Sequence, residues 1–322
     1  MFSIIIPLYN KSTHIEKCLQ SVIDQAYREF EVIIVNDGST DDSLEKINRF
    51  KVSKFQSLQI INQANAGVST ARNNGVKEAK CDYIAFLDAD DWWEPNYLNE
   101  MKNLVYDFPE AGIYGSNYYL VKSGIRRIAK IGVEPSFSQG IINYCQVYAK
   151  TLTMPLWTCA TVIHKRIFES ENGFKPILRL GEDFDLWIRV ALKYKVAFLN
   201  KPLSNYNQDV ELENRAIGNL HNPKNHMLWN LEYLADEEKS NPDLKQLLDN
   251  LRVYDLFPYF LTKAYHKSAK LELEKVDWSK QPSSAKRKYN TPVIALIALS
   301  RLMTIGSKYK QEYLKLRTKY LK

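Results

Sequence analysis

Four times within the first ninety residues, a short apolar run gives way to a polar turn and then to a segment whose apolar positions recur every three to four residues. Ser3 to Ile6 is the first run, halted by Pro7. Ile15, Leu19, Val22 and Ala26 then fall on one helical face, with Ser12 placed to cap it. Glu31 to Val35 is the second run. It ends in Asn36-Asp37-Gly38-Ser39-Thr40-Asp41-Asp42, and a helix over 43–50 is expected to follow. Leu58 to Ile61 is the third, leading through Asn62 to Gly67 into a helix over Val68 to Ala79. Tyr83 to Leu87 is the fourth. Runs this short and this apolar read as strands covered on both faces. Their alternation with helices predicts an α/β chain with a doubly wound, mostly parallel sheet and right-handed crossovers.

The second half is less regular. Gly112 to Ile131 reads as a Tyr-rich pair of extended segments, Gln139 to Lys150 as a helix, and Ala160 to Ile163 and Val196 to Leu199 as strands. Gly181-Glu182-Asp183-Phe184-Asp185-Leu186-Trp187 is an acidic helix start with an apolar stripe behind it. From Asn222 onward the spacing is helical, with linkers at Asn241-Pro242 and Gln281 to Ser284. No internal repeat is evident.

At 322 residues and 45% hydrophobic, the chain has room for one large α/β domain and an appendage. Cys18, Cys81, Cys145 and Cys159 lie far apart with no Cys-x-x-Cys pair, which argues against a zinc site and a disulfide framework and for reduced thiols in a cytoplasmic setting. The opening Met-Phe-Ser-Ile-Ile-Ile-Pro carries no basic leader, so no secretory signal is expected. No uninterrupted apolar window reaches the ~18 residues of a spanning helix. Charge is concentrated at one end. Residues 275–322 hold 12 Lys or Arg against 2 Asp or Glu, a net of +10, which leaves −3 for residues 1–274 out of the chain's +7. That tail reads either as a basic amphipathic helix on an anionic membrane surface or as a solvated appendage packed on the domain. Nothing else in the chain resembles a nucleic-acid module.

The polar clusters fall where the strands end: Tyr9-Asn10, Asp37, Asn65 to Gly67, and Asp88-Ala89-Asp90-Asp91. In open α/β sheets that is where ligands gather. Three carboxylates in four positions cannot be core. If extended geometry persists, Asp88 and Asp90 share a side, giving two hard oxygen donors suited to Mn2+ or Mg2+. The same residues also read as an acidic turn capping the segment near Pro95. Phosphatases of the haloacid type carry Asp-x-Asp after a strand as well, but with Thr or Val two residues beyond the second Asp, where this chain has Trp92.

Taken in order, Pro7-Leu8-Tyr9-Asn10, Val35 to Asp41, Asn65-Ala66-Gly67 with Ala71-Arg72-Asn73, Phe86 to Asp91 and Gly181 to Trp187 resemble the inverting family 2 glycosyltransferases over roughly residues 1–215. The resemblance implies the A-type glycosyltransferase fold with a helical C-terminal extension. The catalytic domain would be 1–220, with a nucleotide-binding half 1–110 and an acceptor half 111–220, and 221–322 would be helical with a basic tail. It also implies a donor nucleotide sugar, with UDP-sugar the expected form, and a glycan or lipid-linked saccharide acceptor. By matching position, Pro7 and Tyr9 line the base, Asp37 accepts from the uracil imide, and Arg72 contacts the nucleotide. Asp88 holds ribose hydroxyls or a metal-bound water, Asp90 holds the metal, and Asp183 is the general base. A helix N-terminus beneath Asp183 is expected to lower its pKa.

Two positions depart from the pattern. Lys11 stands where many members carry Glu. Tyr206 to Asp209 stands where many carry a His, so that Asp209 would substitute for it and Arg215 could fork onto a diphosphate. His221 and His226 read as surface or core residues. Two other functions fit the same fold class, a nucleotidyltransferase that makes the activated sugar and a non-catalytic nucleotide-sugar-binding module. The first usually needs a Gly-rich basic loop that Pro7 to Thr13 lacks. The second has no use for a proton acceptor.

Overall fold

A computed structural model describes residues 1–49, 55–210 and 220–292. Arg215 and residues 293–322 of the basic tail lie outside the described residues. The chain divides into two compact units, Met1–Leu247 and Leu248–Lys322.

In the first unit the early alternation is β1 (Phe2–Leu8), α1 (Ile15–Ile23), β2 (Phe30–Asp37), α2 (Ser43–Arg49), β3 (Leu58–Gln63), α3 (Val68–Glu78) and β4 (Tyr83–Phe86). These four strands pair in parallel in the order β3-β2-β1-β4, and all seven residues of β1 are buried. Helices cover both faces, so β1 has no solvent side. Its largely apolar sequence follows from that, with Ser3 buried and donating to Glu31. Pro7 does not stop β1; it pairs opposite Val35. Ile5 C=O accepts from Leu87 N–H, so residues of Ile5's parity face β4, whose pairing ends at Ile5 with Phe86. The missing N–H of Pro7 therefore falls where no partner strand remains. On α1, Ile15, Cys18, Leu19 and Val22 are buried. Ser12 does not cap that helix: the helix starts three residues later with His14 at the N-cap, and Ser12 N–H donates to Asp41. Gly75 of α3 lies so close to β1 that a Cβ there would come within 2.5 Å of the Ile5 Cγ2.

The second half continues with β5 (Trp92–Trp93), α4 (Tyr97–Asp107), β6 (Ala111–Lys122), β7 (Ile125–Ile128), β8 (Gln139–Ile142), α5 (Tyr144–Thr151), β9 (Thr161–His164), α6 (Lys165–Ser170), α7 (Glu182–Ala191) and β10 (Lys195–Asn207). One sheet runs β3-β2-β1-β4-β9-β6-β10-β5, with β7 on β6 and β8 on β10. Here the pairing is mixed. β9 enters antiparallel between β4 and β6, and β6 and β10 are parallel. Gln139 to Ile142, expected as helix, forms β8 antiparallel to β10, and the helix begins only at Tyr144 under the Asn143 cap. β10 is thirteen residues long rather than four, with register shifts on both sides of Pro202.

After the main sheet come α8 (Ala235–Ser240) and α9 (Pro242–Asp255), the latter containing the unit boundary. The second unit then holds α10 (Phe257–Leu261), α11 (His266–Leu273) and α12 (Ser283–Asn290). Among the described residues no helix is long and apolar enough to cross a membrane. All four cysteines are free and buried.

Candidate active site

The carboxyl ends of β1, β2 and β4 face one region, and the loops there are tied to one another. Asn10, in the left-handed region at φ 49, accepts the Thr40 N–H on its side-chain oxygen, while its own N–H donates to Ser39 Oγ. This clasps the loop after β1 to the loop after β2. Pro7 is buried at the strand's end, and Tyr9 beyond it is 46% exposed.

Asp37 ends β2 and is buried. Its Oδ1 accepts from Gln63 Nε2 at 2.7 Å and Ala66 N–H at 2.7 Å, and its Oδ2 from Gly67 N–H at 2.8 Å. The carboxylate therefore fixes the loop entering α3, and Oδ2 keeps one lone pair free for a further donor. Gly67 is required there. Its φ is +92°, and a Cβ would come within 2.5 Å of the Arg179 guanidinium.

Arg72, on α3, is 4% exposed. Its Nη2 donates to Asp88 at 2.7 Å and its Nη1 to Glu182 at 3.1 Å. Acids from the loop after β4 and from the start of α7, far apart in sequence, thus meet on one guanidinium. Burial on its own would lower the Arg72 pKa, but Asp88 and Glu182 outweigh it and raise it. The expected nucleotide contact is thereby occupied, in this state, by two protein carboxylates.

Asp88, Asp90 and Asp91 sit on a turn, closed by Asp91 N–H to Asp88 C=O, and have three different environments. Asp88 faces Arg72. Asp90 forms an ion pair with Lys11 at 2.8 Å. Asp91 is buried and accepts the Asn207 N–H, anchoring the end of β10. Burial, with Asp90 and Asp88 beside it, pushes the Asp91 carboxyl well above the carboxylate range. Burial raises the neighbouring Cys159 thiol too. Asp88, Asp91 and Cys159 offer ligand atoms within 4.8 Å of one another. That set suits Mn2+ or Mg2+ poorly, since one donor is a thiol and another is already a structural acceptor. Asp88 and Asp90 are the better match: both are hard oxygen donors, and Asp90 already accommodates a cation in the form of the Lys11 ammonium.

Asp183 lies in the first turn of α7. Its Oδ2 accepts from the Thr158 hydroxyl at 3.0 Å and its Oδ1 from Phe184 N–H at 2.8 Å. The expected lowering of its pKa is not what this environment produces. Burial raises it, against the pull of Arg72 and these two hydrogen bonds. Partial desolvation of the carboxyl outweighs the helix end. Glu182 next to it is pushed up to about 7 by burial and by Asp183, with Arg72 opposing. Asp185 of the same turn is fully buried and is gripped by Lys175 at 2.7 Å, Arg189 at 2.8 Å and the Tyr233 hydroxyl at 2.8 Å. This fixes the helix end that carries Asp183. Beside Thr158, the Trp157 ring packs 4.3 Å from Tyr206 and 5.6 Å from Tyr118, centroid to centroid.

One further expectation changes. Asp209 accepts the Ser123 N–H on both oxygens at the β6–β7 turn, so it closes a hairpin rather than standing in for a site histidine. Three functional contacts were missed: Lys11 on Asp90, Thr158 on Asp183, and Glu182 on Arg72. Two of these carried a signal, Glu182 as the residue adjoining Asp183 and Lys11 as the departure from the family's Glu; Thr158 carried none. His226 is a core histidine, its Nδ1 accepting from Leu228 N–H, and burial lowers its pKa to about 4.

A parallel strand-helix half joined to a mixed half, with acids from both gathered at one edge, is the architecture of the A-type glycosyltransferase fold. S. aureus TarS 1–349 in complex with UDP-GlcNAc superposes with TM-score 0.68 at 18% identity, over 84% of this chain and 78% of that one. Residues 3–169 match Glycosyl transferase family 2, and the chain belongs to that family. GlyA of Streptococcus pneumoniae is 32% identical over 212 residues, 63% of this chain, which spans 30% of GlyA's length. The Escherichia coli UDP-Glc:alpha-D-GlcNAc-diphosphoundecaprenol beta-1,3-glucosyltransferase WfaP is 32% identical over 194 residues, 60% of this chain and 71% of WfaP.

Proposed function

We propose that this chain is a metal-dependent inverting glycosyltransferase that moves a sugar from a UDP-sugar to a hydroxyl of a glycan or lipid-linked glycan. One observation carries the reading: Arg72 binds Asp88 and Glu182 together, so the acids assigned to the donor and those assigned to the acceptor form one continuous cluster.

In this reading Pro7 and Tyr9 line the base, and Asp37 offers its free Oδ2 lone pair to the uracil N–H. A carboxylate would repel a base edge that presents acceptors. Asp88 receives the ribose hydroxyls, and Arg72 keeps Asp88 oriented. Asp90, with Asp88, holds a divalent cation, which supplies Lewis-acid charge for the departing diphosphate. Asp183 takes the proton from the acceptor hydroxyl as that oxygen attacks the anomeric carbon on the face opposite the diphosphate. The hydrogen bond from Thr158 orients the carboxylate. Trp157, Tyr118 and Tyr206 shape the acceptor side. The UDP in the name of WfaP and in the TarS complex supports uracil as the base, and WfaP's diphosphoundecaprenol acceptor supports a lipid-linked substrate. The basic tail would then hold the chain at an anionic membrane surface from the cytoplasmic side.

Asp183→Asn tests the reading. Transfer should fall by about 10²–10⁴-fold while UDP affinity, by calorimetry, changes less than about twofold. Transfer at the wild-type rate by this variant would remove Asp183 as the base.

A further inference from the structure

The two carboxylates suited to a divalent cation are each already neutralised by a protein cation, but in different ways. Arg72 is held by two acids and is 4% exposed. Lys11 is bound to Asp90 at 2.8 Å, with the side chains 16% and 19% exposed. Its backbone is fixed. Lys11 N–H donates to Ser43 Oγ, and its C=O accepts from His14 and Ile15 N–H. The turn between β1 and α1 therefore sets the root of the side chain, while its flexible stem leaves the ammonium free to change partners.

Resting on the proposed reading, we propose that Lys11 is a built-in counter-cation of Asp90 that a divalent cation displaces, so that the cation and a nucleoside diphosphate bind this chain cooperatively. Without nucleotide, cation and ammonium compete for one carboxylate. A diphosphate offers the ammonium a second anion at the same edge of the sheet and releases Asp90. By linkage, the cation strengthens diphosphate binding by the same factor.

Mn2+ binding followed by electron paramagnetic resonance on the full chain, with and without UDP, tests this without any turnover. In the absence of UDP, Lys11→Met should bind Mn2+ about tenfold more tightly than wild type, and its gain on adding UDP should be smaller. Lys11→Arg, which keeps the charge, should stay close to wild type. Unchanged or weaker Mn2+ binding by Lys11→Met overturns the proposal, as does an Arg variant that behaves like the Met variant. Asp90→Asn separates the two readings. If it still binds Mn2+ with UDP as wild type does, the metal assignment fails. If it loses that binding while Lys11→Met is unchanged, only the role of Lys11 fails.

Discussion

Replacing Arg72 with Met keeps most of the stem's volume and deletes the charge shared by Asp88 and Glu182. Removing one partner of a buried ion pair costs about 3–5 kcal/mol, because the acids left behind are desolvated and unpaired. Asp88 is 28% exposed and can recover some hydration, which puts the loss near the low end, at ~3 kcal/mol, when both acids are ionised. The loss must depend on pH. In the wild type, the Glu182 pKa is raised from 4.5 to about 7 on folding. The native state therefore holds a proton that the unfolded chain gives up earlier, and stability falls as pH climbs from 4.5 toward 7 and then levels. Arg72 opposes that rise, so without it Glu182 moves higher still, and the variant goes on losing stability above pH 7. That further rise widens the gap as pH increases. Urea unfolding at pH 5 and pH 8.5 reads this directly. The gap should be ~1 kcal/mol at pH 5 and ~3 kcal/mol at pH 8.5, the latter a midpoint shift of about 1 M or more. A gap of equal size at both pH values would show that Arg72 contributes packing alone.

Two further outcomes follow from the same cluster. Because burial raises the Asp183 carboxyl and its neighbour Glu182 titrates with it, the acid limb of the transfer rate should lie above the ordinary carboxylate range. A rate that stays flat down to pH 4.5 would contradict this. Thr158→Val removes the hydrogen bond that favours the ionised form of Asp183, so the limb should move up by about one pH unit while the rate at high pH is nearly kept. A uniform drop at every pH, with the limb in place, would make Thr158 a packing residue.

The strands of the first half were legible in the sequence, and three of them have almost no solvent face. β1, β2 and β4 each carry a short apolar core such as Ile4 to Ile6 or Val32 to Val35, and a turn of Asn, Asp or Gly marks where each ends. β10 was not legible in full because Asn200-Lys201-Pro202 breaks its apolar run where the register shifts, and a strand that bulges no longer alternates. β8 was taken for helix because apolar residues over 139–150 also fit helical spacing. What decides it is pairing with β10, a contact with a strand more than fifty residues away. At the site, residue types showed where the acids cluster but not which cation each meets. The partners come from α3, from the β1–α1 turn and from the segment before β9, and no local pattern joins them. The error over Asp183 has the same origin, since a helix end can be read from sequence and the degree of desolvation cannot.

Those partners explain how one short acidic turn can have three roles. Asp91 is buried, its carboxyl is raised by that burial, and it anchors the end of β10. Asp88 is held by a buried guanidinium that also binds Glu182. Asp90 is held by an ammonium on a flexible stem. Only at Asp90 can the counter-charge leave without unpairing a second carboxylate, because Arg72 would strand Glu182 if it moved to a ligand, whereas Lys11 would free one acid only. On the proposed reading, a cation arriving at this turn therefore meets the least resistance at Asp90.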